Sequence, residues 1–391
     1  MNVQSTSAII FIFLMLVFLI IKRKKIVIQK ILFPVLYMVL YRTKLGLKFM
    51  DKFSKKFSKQ LKYIGYFAIF IGFFGMLVIA YALIQNFYNL LTKPQAVSGV
   101  GIVLPFEVKG AFYVPFFYWI ISIFIIAIIH EFSHGIIARK YGMKIKSSGM
   151  AFLGILLPIV PAAFVEPDEK ELKKRPAREQ LSVFAAGPFS NIALAFIIVG
   201  IIALVSTPLS NSMIEPNGII ITGVSDDYPA AKAGMNENDV IITIDNIETN
   251  YLTNFSRILS TKNPGDTILL ATNSSTYNIT LGESPANNSK AYLGVFVQQS
   301  TKIKDNFIER YGKFAPNIIV WLMGLFYWLY VLNLGIGLFN LAPMGPLDGG
   351  RMLLVTLQQY MEEKKAIKYW KNIGLFFLAL VLINIAFSFI R

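Results

Sequence analysis

Long apolar runs decide what this chain can become. Six segments, at about 6–21, 63–85, 114–138, 181–206, 317–342 and 373–390, are nearly free of charged residues. Roughly 20 apolar residues carry a helix across the hydrocarbon of a bilayer, and all but the first run approach or pass that length. Within lipid each backbone N–H and C=O must be satisfied inside the segment, so runs of this kind read as helices. Residues 148–165 are also apolar, but Gly149, Gly154, Pro158 and Pro161 interrupt them. They read as a re-entrant or sheet-like element, which is tolerated at membrane depth only where protein or a water-filled cavity covers the backbone. The expected fold class is therefore a polytopic α-helical membrane protein with about six spanning helices plus a re-entrant element. Charged residues make up only 15% of the 391, against about a quarter in soluble domains.

The loops between these runs divide by charge. Those at 22–62, 139–180 and 343–371 hold 27 of the 38 Lys and Arg, which assigns them to the cytoplasm. The region 207–316 then lies on the other side. Lys22-Arg23-Lys24-Lys25 follows the first apolar run, so that run reads as a signal anchor and not as a cleaved signal peptide. The net charge of +16 is accounted for by topology and by the anionic headgroups of the lipid bilayer. Nucleic acid is rejected as a partner, because no recognised binding motif accompanies the charge. Phe49, Phe53, Phe57 and Leu61 recur every four residues among lysines, the pattern of an amphipathic helix on the cytoplasmic leaflet. The chain has no cysteine, hence no disulfide framework and no thiolate ligand for a metal.

The region 207–316 reads as a small α+β insert. Gly218 to Val224 forms a first strand, Pro229-Ala230-Ala231 starts a short helix, and Asn238 to Asp245 forms a second strand ended by a turn. The run Gly-Val-Ser, Pro-Ala-Ala-Lys-Ala-Gly, Asp-Val-Ile-Ile-Thr-Ile-Asp resembles a PDZ domain of bacterial and archaeal proteases. That resemblance implies binding of extended peptide segments by strand addition at a sheet edge. The Asn-x-Ser/Thr sequons at Asn254, Asn273, Asn278 and Asn287 all fall in this region, in keeping with its extracytoplasmic side.

The chain contains only two histidines, His130 and His134. Placed at random, two histidines stand four apart roughly once in 200, and a Glu directly after the first lowers that about another twentyfold. Four-residue spacing sets both imidazoles on one helix face. Glu131 between them is placed to act as general base, and two imidazoles plus a carboxylate suit Zn2+ with one position open. Ionisable groups inside an apolar span are costly and functional by default. A third ligand is needed. Within or near the apolar runs the acids are Glu131 and Asp348; Asp348 also reads as the cap of a following helix. Glu166, Asp168 and Glu169 are further donors, in a stretch charged enough to be a solvated face. Pro343, Gly345 and Pro346 break the helix before Asp348 and free backbone groups that an extended substrate can use. Two rival classes are a peptide-binding scaffold with a dead metal site and an ion carrier, though no internal repeat of the carrier kind is present.

His-Glu-x-x-His in one span, followed far downstream by Asn-x-x-Pro-x-x-x-x-Asp-Gly from Asn340, resembles the site-2 protease family of intramembrane zinc metalloproteases. The stretch from Pro176 to Asn191 also resembles that family's helix after the catalytic one. The resemblance implies zinc held by His130, His134 and Asp348, with Glu131 as base. It places Asn340 near the substrate, with Pro343, and sets membrane-anchored proteins as substrates. It divides the chain into N-terminal anchor spans and a basic loop (1–112), a first half of the catalytic core (113–206), the PDZ-like domain (207–316), and a second half with the Asp348 motif and the last span (317–391). The active site is expected nearer the cytoplasmic side. Residues 1–62 and the second span carry no assigned catalytic part.

Overall fold

The structure, a computed structural model, describes residues 3–32, 36–93, 96–155, 157–285 and 287–390. Among them five helices are long and apolar enough to cross a membrane: Ser58–Thr92, Phe116–Lys140, Ala177–Met213, Phe314–Asn340 and Glu363–Ile390. The first expected span forms a helix too, but its apolar part, Thr6–Ile21, is shorter than these. The count of about six thus resolves into five long helices and one short one. The chain divides into two compact units, one of residues 1–202 with 323–391 and one of residues 203–322.

The longer helices of the first unit are α1 (Val3–Ile21), α2 (Leu47–Lys56), α3 (Ser58–Thr92), α4 (Phe116–Lys140), α5 (Ala177–Ile201), α6 (Phe314–Asn340, whose residues up to 322 belong to the second unit), α7 (Asp348–Tyr360) and α8 (Glu363–Ile390). The core gathers Leu61, Ala68 and Met76 of α3, Ile137 and Ala138 of α4, Val183 to Ala186 of α5, and Met352 and Val355 of α7. Between apolar helices in lipid there is little hydrophobic drive, so close approach through small residues holds them together. Gly65 of α3 faces Ser182, and Gly72 faces Met352 and Ala185. The opposite side of α3 exposes Phe67, Phe70, Phe74, Leu77 and Tyr81, the surface that lipid would cover.

Four antiparallel strands complete this unit, in the order β1 (Ile26–Leu32), β2 (Leu36–Thr43), β3 (Ile145–Ile155) and β4 (Leu157–Pro167). The interrupted apolar run is therefore the β3–β4 hairpin. The N-terminal segment differs from expectation. Residues of the basic loop add a second hairpin to it, with Thr43 opposite Ser148 and Leu40 opposite Ala151. α1 lies on this sheet, with Met15 packed among Val39 and Phe152 and Phe18 edge-on to Tyr41 at 5.3 Å.

The phenylalanine stripe does sit on a helix, but that helix is docked on protein. Met50 of α2 is fully buried and lies over Gly135 of α4. Asp51 pairs with Arg139 at 2.9 Å, and Phe53 and Phe57 pack on the core while Phe49 remains exposed. The lysines occupy the remaining face. Phe57 ends α2, and Leu61 belongs to α3.

The second unit is an antiparallel sheet. Its strands β5 (Ile214–Val224), β6 (Val240–Ile244), β7 (Thr267–Thr272), β8 (Thr276–Thr280) and β9 (Val295–Ile303) run in the order β8-β7-β6-β5-β9, so β9 is an edge. Ile219, Ile221, Ile241, Ile244, Ile268 and Leu270 form its core with Phe255 and Ile258 of the helix Leu252–Ser260. Asp245 and Asn246, with φ of 51° and 65°, make the tight two-residue turn that follows β6, a place where Asp and Asn tolerate the left-handed region. Gln299 of β9 accepts from the N–H of Leu252 at 2.9 Å and donates to the Asn250 carbonyl at 2.7 Å, tying that helix start to the edge strand.

Two outcomes follow from this packing. Met50→Ala should destabilise the full chain in detergent by about 2–5 kcal/mol, the range for truncating a buried side chain; an unchanged thermal midpoint would refute the docking of α2. The second concerns Asp245, whose carboxyl is held below the usual carboxylate range by the Lys262 ammonium at 2.6 Å and the Leu269 N–H at 2.8 Å. A depressed folded value stabilises above the unfolded pKa of about 3.9, and the gain is lost as pH falls through the folded value. The stability gap between wild type and Asp245→Asn should stay constant above about pH 5 and narrow below about pH 4. A gap that ignores pH removes the ion-pair explanation.

Candidate metal centre

His130 and His134 lie within α4 and are 8% and 9% exposed. Their rings meet edge-on at 4.7 Å between centroids, as one-face spacing allows. Asp348 comes from far along the chain, 218 positions after His130: its Oδ2 stands 3.1 Å from His130 Nε2 and 3.4 Å from His134 Nε2. One ligand atom from each of the three residues lies within 4.8 Å of the others.

The segment before Asp348 explains how a carboxylate can arrive there. α6 ends at Asn340, and the next turns are tight: Leu341 N–H donates to Leu338 O, Ala342 N–H to Phe339 O, and Met344 N–H to Ala342 O. Pro343 and Pro346 cannot continue a helix. The chain then turns back into α7, whose first residue is Asp348. Gly349 and Gly350 are required by close approach, since a side chain would meet the Leu341 and Met344 carbonyls. Trp370 Nε1 donates to Gly350 O at 2.9 Å, clamping the turn to α8.

This cluster fits a zinc ion on two grounds. The donor set of two imidazole nitrogens and one carboxylate leaves an open fourth position. Gly187 of α5 faces the pair of Nε2 atoms, and a Cβ there would stand 2.6 Å from His130 Nε2; the absent side chain leaves a cradle at the point where the donors converge. His130, His134 and Asp348 would hold the ion.

Glu131 turns to the sheet. Its Oε2 accepts from the Val165 N–H of β4 at 3.0 Å. β4 is an edge strand of its sheet, so the outward backbone of that edge and the Glu131 carboxylate share one place. Asn340 closes α6 and donates its Nδ2 to Ile336 O at 3.0 Å; among the described residues no hydrogen bond joins it to the three clustered side chains. Pro343 is buried in the turn that delivers Asp348. Of the other acids, Glu166 is engaged with Ser147 and Arg42, Asp168 with Lys146 and the N–H groups opening the helix Glu169–Lys173, and Glu169 is exposed.

Sequence reasoning missed the Val165 N–H and the Val183 carbonyl, which accepts from the ring of His134. Any residue type carries such backbone groups, so composition holds no signal for them. Asn191 beside His130 did carry one, an amide within the apolar stretch of α5.

The sequence profile of peptidase family M50 matches residues 118–381, most of the chain. The chain belongs to this family. An uncharacterized protein of Methanocaldococcus jannaschii is 31% identical over 241 residues, 60% of this chain and 56% of that one. The zinc metalloprotease RasP of Oceanobacillus iheyensis is 24% identical over 272 residues, 56% of this chain and 62% of that one. The chain thus spans less than two thirds of the length of both relatives. Among solved structures, the PDZ domain of an SdrC-like protein from Listeria monocytogenes is 21% identical, covering 23% of this chain and 90% of that one at a TM-score of 0.19.

Purified full chain should bind about one zinc and lose it in Asp348→Ala, as a structural-type drop from three protein ligands to two implies. Elemental analysis of the two proteins side by side decides it, and zinc retained in the variant rules Asp348 out as the third ligand.

Proposed function

We propose that the chain is an intramembrane zinc metalloprotease that hydrolyses peptide bonds in or near the transmembrane segments of membrane-anchored proteins. The observation that carries this is the meeting of His130, His134 and Asp348 within 4.8 Å, with Glu131 adjacent and the two histidines on a helix of membrane-spanning length. When bound, zinc polarises the scissile carbonyl and brings an attacking water toward ionisation at neutral pH. Glu131 takes the proton of that water and delivers it to the leaving amine. The Val165 N–H holds Oε2 of Glu131, which leaves Oε1 for the proton.

A helical substrate hides its carbonyls in its own hydrogen bonds and must unwind before attack. The outward edge of β4 offers backbone partners to an unwound segment, and it runs past Glu131. Asn340 and Pro343 stand on the turn that leads to Asp348, where they would contact the same segment. The loop charges favour a cytoplasmic location for the C-terminal end of α4. His134 is six residues before the end of α4, about 9 Å along the axis, so the centre would lie nearer the cytoplasm and the 203–322 unit outside. That unit would act as a PDZ-like domain, taking peptide as an added strand along β9.

Glu131→Gln keeps both hydrogen-bonding shape and zinc but removes the base. Cleavage of single-span reporter proteins in liposomes should drop by about 10²–10⁴-fold, the usual worth of a positioned acid–base group. Undiminished turnover by this variant, with zinc present, would sink the assignment.

A further inference from the structure

Each metal-facing imidazole has a second ring nitrogen, and both of these face α5. His134 Nδ1 stands 2.6 Å from the Val183 carbonyl oxygen. A carbonyl only accepts, so this nitrogen carries the proton and Nε2 keeps its lone pair. His130 Nδ1 stands 3.1 Å from the side-chain amide of Asn191, which is wholly buried. The two contacts lie eight residues apart on one helix, with Gly187 midway and facing both Nε2 atoms.

The orientation of the Asn191 amide matters. With Nδ2 against the ring, the amide donates and His130 Nδ1 must accept. The ring proton then sits on Nε2, aimed at Asp348, and that nitrogen has no lone pair to give a metal. Half a turn about the last side-chain bond puts Oδ1 against Nδ1 and moves no other atom. In the first orientation Oδ1 lacks a partner, and in the second Nδ2 takes its place, so the number of hydrogen bonds does not choose between them. The chemistry of a nitrogen ligand does.

We propose that Asn191 is a positioning residue that accepts the Nδ1 proton of His130, so that α5 fixes the tautomers of both histidine ligands, one through a backbone carbonyl and one through this side chain. The proposal rests on the zinc centre described above. Partners behind a metal-bound histidine typically alter metal affinity or activity 10–100-fold. Val183 cannot be removed by mutation as an acceptor, but Asn191 can.

The test is zinc affinity of the full chain in detergent, measured by competition with a chelator of known affinity, for wild type, Asn191→Ala, Asn191→Leu and Asn191→Asp. The Ala and Leu variants should bind about 10–100-fold more weakly. Asp accepts but cannot donate, so Asn191→Asp should restore wild-type affinity or exceed it. Thermal midpoints of the zinc-free proteins report any purely structural role, and Leu should leave that midpoint near the wild-type value. Asn191→Asp binding as weakly as Ala would overturn the proposal by showing that the amide donates. Equal affinity across the series would overturn it as well. Either result leaves the zinc centre intact so long as wild type binds zinc and Asp348→Ala does not; a wild type without zinc overturns the centre and this proposal together.

Discussion

Buried ionisable groups need company, and the fold is organised around giving three of them that company. His130, His134 and Asp348 lie among apolar helices, where an unpartnered lone pair or charge is costly. Each finds the other two, and each imidazole finds a second contact on α5. Much else follows from that closeness. α5 must approach α4 without a side chain between them, which accounts for Gly187. α6 must stop at Asn340 so that a carboxylate can fold back into the bundle, which accounts for the prolines of the turn and the glycine pair after Asp348.

The parts that sequence made legible are those governed by local periodicity. Apolar length located five spanning helices, with ends that differ by up to about ten residues, most at the start of α8, and it marked 148–165 as something other than a helix because two prolines and two glycines cannot sit comfortably in one. In the small unit, residues 218–224 of the strand Ile214–Val224 and the strand Val240–Ile244 were visible from runs of isoleucine and the turn residues around them. His130, Glu131 and His134 were readable because helical spacing converts four residues into one face. Asp348 was readable because acids near the apolar runs are so few.

What stayed hidden depended on distant partners. Residues 26–43 fall inside a loop that is basic as a whole, although only Lys30 and Arg42 among them are charged, and the strand they pair with begins about a hundred residues later. The aromatic stripe of α2 fits a lipid surface and a protein surface equally well by pattern. The choice is made by Met50 meeting Gly135, two residues with no relation along the chain. The backbone groups that orient Glu131 and His134 have no signature in any sequence. A fold assembled from helices is thus easier to foresee than the contacts that tune its reactive groups.

The added hairpin has a consequence for the order in which the protein is made. Thr43 hydrogen-bonds to the backbone of Ser148, 105 residues further on. At 5–20 residues per second, synthesis leaves about 5–20 s in which β2 exists and its neighbour does not. During that interval a strand edge with unpaired backbone groups stands next to a membrane that cannot satisfy them. The β2–β3 pairing, and with it the sheet beside Glu131, can form only after α4 has been synthesised.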